Sequence, residues 1–253
     1  MQSIRVGRLA AATAAATLIS AAVASAAAAP GLTTSVSASA TPNHLVGHLT
    51  PGRGMPIKLH VTLNINHPAG SRYQLQNVVF KFPNGVGKPN GNLFPSCSAP
   101  KIRAARGNTK VCPKGSQIGS GVAVGTAVDI GVTSTGTLKL FNGPHGKSIV
   151  FNVNITRPAL INDTFDAPLK KTSGKYGYVL TSNIPADLQT ILDGPIIVRK
   201  IDITSGITKV VHGVKRGYIE AFKCPKGGKA PVHADFTFSG GVTSSADSAI
   251  RCH

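Results

Sequence analysis

The chain has 253 residues, with 27 Lys and Arg against nine Asp and Glu, a formal charge of +18 and no Trp. That length supports a hydrophobic core without help from a metal. All nine acids lie at or after Asp129, which excludes oxygen-rich cation sites and paired-carboxylate chemistry from the first half.

In chain order, the first 26 residues read as a secretory signal peptide. Arg5 and Arg8 form a basic n-region, Leu9 to Val23 an apolar h-region, and Ala24-Ser25-Ala26 a small-residue cleavage pattern. A membrane anchor is not expected, because the Ala/Thr-rich run is weakly hydrophobic and has no stop-transfer flank. The expected mature unit, residues 27–253, carries 25 basic and nine acidic side chains. It is expected outside the cell or associated with the wall.

Beyond the leader, Gly, Pro, Thr, Val, Ser and Asn dominate and Glu occurs once, a poor palette for helices. Alternation with period two marks strands instead. Leu59, Val61, Leu63 and Ile65 share one face, as do Val78, Phe80 and Phe82, and as do Ile149, Phe151, Val153 and Ile155. Further strands are expected at 137–141, 176–180, 195–204, 209–214, 218–222 and 233–238. Asn84-Gly85, Asn90-Gly91, Asn142-Gly143, Asp193-Gly194 and Gly240-Gly241 supply turns between them. Residues 186–192 are the one place where a helical turn is expected. The predicted fold is all-β, an antiparallel β-sandwich of Ig-like or jelly-roll-like type, stapled by disulfides. Cys112-Pro113-Lys114-Gly115 recurs as Cys224-Pro225-Lys226-Gly227, a weak internal echo that leaves room for a seam near 128–131. One continuous unit is the preferred reading.

The four cysteines, Cys97, Cys112, Cys224 and Cys252, fit two disulfides in an oxidising compartment, with three connectivities open. Loop entropy favours the two sequence-local pairs, worth ~3 and ~3.5 kcal/mol in the chain-entropy model.

The stretch Phe82-Pro83-Asn84-Gly85, Phe94-Pro95-Ser96-Cys97 and Cys112-Pro113-Lys114-Gly115-Ser116-Gln117-Ile118-Gly119-Ser120-Gly121, with Cys224-Pro225 and the late Cys252, resembles a group of secreted actinobacterial proteins. These carry a C-P-x-x-S-x-I-G-x-G signature on β-rich domains. The resemblance implies a secreted β fold and brings no activity or functional residue with it.

Catalytic chemistry finds little footing. Gly119-Ser120-Gly121 does not make a nucleophile elbow, and the glycines near it do not make a dinucleotide fingerprint. Paired carboxylates for sugar hydrolysis would have to come from Asp163 and Asp166, or Asp187 and Asp193, all read as loop residues in turn and cap roles. His44 and His48 would stand about 13 Å apart on a strand, too far for one metal. No cofactor and no metal is therefore expected, and the chain reads as non-enzymatic.

Positive charge carries the functional expectation. Lys101, Arg103, Arg106, Lys110 and Lys114 place five cations in 14 residues without an anion, the first four on the segment that Cys97 and Cys112 would close and Lys114 just after it. Further groups are Lys170, Lys171 and Lys175, and Lys223, Lys226 and Lys229. Such a field attracts polyanions. For an exported protein these are anionic cell-wall polymers or polysaccharides rather than nucleic acid, for which stacking aromatics are too few. One competing reading is a structural or protein-interaction domain with incidental charge. The other is an atypical hydrolase using Asp163, Asp166, Asp187 or Asp193 with His145 or His212.

Overall fold

The structure, a computed structural model, describes residues 29–45, 53–191 and 194–253. The expected signal peptide, His48 and Asp193 lie outside the described residues. Strand is the dominant element among the described residues. The first eight are β1 (Thr33–Thr41), β2 (Met55–Asn66), β3 (Leu75–Pro83), β4 (Gly87–Pro89), β5 (Gln117–Ala127), β6 (Val132–Asn142), β7 (Ser148–Ile155) and β8 (Ile161–Lys171). Then follow β9 (Tyr176–Asn183), β10 (Thr190–Ile191), β11 (Gly194–Ser205), β12 (Thr208–Val211), β13 (Val214–Gly217), β14 (Ile219–Ala221), β15 (Lys229–Phe238) and β16 (Thr243–Arg251). A single short helix, α1 (Ala99–Ala104), interrupts the β structure among the described residues.

Antiparallel pairing runs β1-β2-β11-β5-β6-β7-β8 through one sheet and β9-β3-β15-β16 through the other. β8 joins them: residues up to Pro168 pair with β7, while Leu169 to Lys171 pair with β9. At the opposite edge β1 runs alongside β16 in the same direction. Thr34 Oγ1 meets Ser244 Oγ at 2.7 Å there, and past the strand ends the His253 N–H donates to Asn43 O at 3.1 Å. The two sheets are thus joined by a shared strand on one side and held by a clasp on the other, where β1 and β16 run side by side without a backbone ladder between them.

The alternation seen in sequence becomes the two faces. Leu63 and Ile65 of β2 pack with Val78 and Phe80 of β3 and with Val232, Ala234 and Phe236 of β15. Ile149, Phe151 and Val153 of β7 pack with Leu138 and Leu140 of β6, with Phe94 and with Tyr218. The two clusters do not fill the interior. An elongated apolar cavity of about 300 Å³ separates the sheets, and Val61, Phe165, Leu180, Ile201 and Ile203 face it while only partly buried. Sandwich cores normally interdigitate at close-packed density.

Several expectations change. Residues 209–214 are not one strand: His212-Gly213 turns the chain, and β12 pairs with β13 as a hairpin. Residues 161–171, read as loop, form β8. Its pattern is hidden because Asp163 takes an inward position between Ile161 and Phe165. α1 was unexpected, yet Ser98 at its cap position, Pro100 in its first turn and the run of Ala, Lys and Arg suit a short helix. Residues 186–188 make one 3-10 turn, followed by the short β10. Val128 to Gly131 form the turn between β5 and β6, and strands from either side of that turn alternate in the sheets.

Candidate functional site

The cationic loop is a fixed structure. Cys97 is bonded to Cys112, and Cys224 to Cys252, with Cα atoms 5.4 and 5.7 Å apart. Inside the first loop, α1 lies on the outer face of β7 and β8. Ala99 and Ile102, three residues apart on one side of the helix, are fully buried with Cys97, Phe141 and Val150. Anchoring those two residues turns Lys101 and Arg103 outward. The helix ends at Arg106 and Gly107, both with positive φ, and the Gly107 N–H returns to Ile102 O at 2.9 Å.

All five predicted cations are exposed on this loop and its flank. Arg103 Nη1 also donates to Thr164 O of β8 at 2.6 Å, pinning the helix to the sheet. Asn108 Oδ1 accepts from the Lys110 N–H at 3.1 Å, and Lys114 projects from the turn after Cys112. Sequence reading missed a sixth cation. Lys139, facing outward on β6, donates from Nζ to Thr109 Oγ1 at 3.1 Å and so joins the same face. Outward alternation on 137–141 was the available signal. None of these six makes an ion pair among the described residues.

Five of the nine acids are engaged in ion pairs elsewhere. Arg72 holds Asp129 in a two-pronged pair, and that contact keeps the Asp129 carboxyl below its usual range. Asp202 of β11 accepts from His60 at 2.8 Å and Lys200 at 3.0 Å, and those two partners hold its carboxyl down at about 2. His233 of β15 lies between Asp247 at 2.8 Å and Asp235 at 2.9 Å, and Lys81 caps Asp235 at 2.7 Å. Burial works against the charged imidazole, but the two carboxylates win and raise the His233 pKa. Glu220 is fully buried. Burial pushes its carboxyl up, and Arg216 with the Gly217 and Gly54 N–H groups more than offsets this, leaving it below the usual range.

The residues proposed for hydrolysis are not joined. Asp163 and Asp166 lie on opposite faces of β8, correcting their loop assignment. Asp163 Oδ1 accepts its neighbour's N–H at 2.6 Å, and Asp166 accepts from Ser148 Oγ at 3.4 Å on the outer face beside α1. Asp187 sits in the 3-10 turn before β10, while His145 and His212 occupy separate hairpin turns with positive φ. No hydrogen bond or ion pair links these side chains among the described residues. Nor does any group of three His, Cys, Asp or Glu among them have the placement to hold a metal.

The second and third lysine groups meet at one end of the sandwich. Asn84 takes the Lys175 carbonyl at 3.1 Å, and the Lys223 side chain passes Gly85 in the same turn. Lys88 Nζ lies 5.2 Å from the Phe222 ring centre, a cation–π contact. No helix among the described residues is long and apolar enough to cross a membrane.

These features define the class: a disulfide-bonded, strongly basic protein of packed antiparallel sheets. Compared with known proteins, the chain matches no family model, no curated protein and no solved structure.

Proposed function

We propose that this is an exported, non-enzymatic binding protein that holds anionic cell-envelope polymers on the outer face of α1 and its disulfide loop. One observation carries the reading. Six exposed cations, Lys101, Arg103, Arg106, Lys110, Lys114 and Lys139, share one face without a carboxylate partner, while Asp129, Asp202, Asp235, Asp247 and Glu220 are paired at other places. A disulfide-closed loop anchored by Ile102 and Ala99 presents that charge in a fixed arrangement, so little ordering cost is added on binding. Asp166 is the acid beneath the helix, and it leaves the field strongly positive. The two disulfides and the leader-like first 26 residues support export.

The test is co-sedimentation of the purified protein with isolated bacterial cell walls across a salt series. Binding should weaken steeply as salt rises, because exposed charges are screened within about a nanometre. It should vanish from walls stripped of their anionic polymers. Lys101→Glu with Arg106→Glu should abolish it while leaving the fold intact, since neither side chain holds α1 in place. Binding that ignores both salt and the charge reversal would show a protein-interaction domain whose charge is incidental.

A further inference from the structure

We propose that the space between the sheets is a binding site for a single-chain anionic amphiphile, with the acyl chain between the sheets and the acidic head at Lys88 and Lys223. This goes beyond polymer binding and uses none of the loop cations.

The cavity walls are aliphatic and aromatic side chains from both sheets, and no Asp or Glu lines it among the described residues. Apolar cavities of this kind stay dry and accept apolar guests, and about 150 Å³ suffices for benzene. The present volume is about twice that. Its shape is long rather than round. It runs along the strands from Ile57 and Ala221 at one end to Val132 and Pro158 at the other, a form that suits a flexible hydrocarbon chain better than a fused-ring ligand.

The two ends differ in chemistry. Lys223 lines the cavity and is exposed, and Lys88 lines it beside the Phe222 ring, so the wall meets solvent at a cationic rim. Neither lysine has a carboxylate partner among the described residues. Tyr218 lines the cavity toward the same end, where its N–H bonds Ile207 O and its carbonyl accepts from Asn90. Its hydroxyl is fully buried, has no hydrogen-bond partner among the described residues, and is not itself presented to the cavity. At the far end Val132 borders the cavity, and Ile130 and Leu160 stand exposed on neighbouring hairpin turns. The residues that line the cavity at this end are uncharged.

The probe is cis-parinaric acid, whose fluorescence rises in apolar surroundings, titrated into the purified exported protein. Saturable uptake of one equivalent is expected, displaced by palmitate and by lysophosphatidylglycerol, and the stronger competitor identifies the head group. Hexadecanol, with the same chain and no charge, should compete at least about tenfold less well, the loss expected for a charge-assisted contact. Lys88→Glu with Lys223→Glu should remove that preference and leave hexadecanol unaffected, and as surface changes they leave folding intact. Val61→Phe should narrow the space and weaken uptake severalfold while the melting temperature holds or rises. No saturable uptake, or uptake unchanged in Val61→Phe with the fold confirmed by circular dichroism, would overturn the proposal. Loop reversals at Lys101 and Arg106 should leave uptake untouched, separating this site from the polymer-binding face.

Discussion

Glu220 shows how much one side chain can hold in a chain poor in acids. It is the sole glutamate, it is fully buried, and it joins β14 to Arg216 and to the Gly54 and Gly217 N–H groups. Breaking a buried pair strands the remaining charge, so Glu220→Gln should cost about 3 kcal/mol or more in urea unfolding. The raised His233 pKa predicts a second, pH-dependent effect. Its folded pKa is raised, so its contribution is complete below the ordinary histidine value of about 6.5 and is lost as pH rises through the folded value. The melting temperature should therefore fall on going from mildly acidic to mildly alkaline conditions, and His233→Gln should flatten that fall. Asp202 works the other way: held at about 2, it supports the fold above the ordinary Asp value and loses that contribution as pH drops toward 2. The repeated Cys-Pro-Lys-Gly also finds its reason at this scale. In both copies the glycine has positive φ and the next N–H bonds back to the proline carbonyl, at 3.0 Å each. The echo is the same turn used twice, each time beside a disulfide.

Among the elements, legibility followed hydrophobic contrast. β2, β3 and β7 were plain because their inward residues are large and aliphatic while their outward residues are polar. β1 and β16 are built from Ser, Ala and Thr, with Val36 and Ile250 as their bulky aliphatics, so the alternation survives in the fold but barely shows in the sequence. β8 was masked by one inward Asp. α1 is stabilised by its tertiary seat and its disulfide rather than by its own six residues, too few to be helical alone. Replacing Cys97 and Cys112 together by Ser should lower stability by ~3 kcal/mol. It should also weaken wall binding, since the cations would then hang on an unclosed loop. The five loop cations were legible because charge needs no tertiary context to be counted. Lys139 was not, because its membership depends on β6 lying beneath Thr109.

For the whole molecule, charge and packing tell a consistent story. Five of the nine acids, Asp129, Asp202, Asp235, Asp247 and Glu220, are held in ion pairs away from the α1 face, which leaves that face and the Lys88–Lys223 end as cationic regions. The cavity could not be read from sequence. The residues around it are ordinary core residues in type and spacing, and only the separation of the sheets leaves them apart.

The clasp between β1 and β16 has a consequence for how the chain reaches this state. It joins residues about 210 positions apart, Thr34 with Ser244 and Asn43 with His253, whereas β5 to β9 pair in simple succession. Long-range closure comes late because the loop entropy must be met first. As the polypeptide emerges from its N-terminal side, β1 and β2 therefore appear early and wait, with open edges, for partners synthesised last. A meander around β5 to β9, with the Cys97–Cys112 bond already formed, would be the first ordered part. Assembly would finish when the final strand arrives and the Cys224–Cys252 bond fixes it in place.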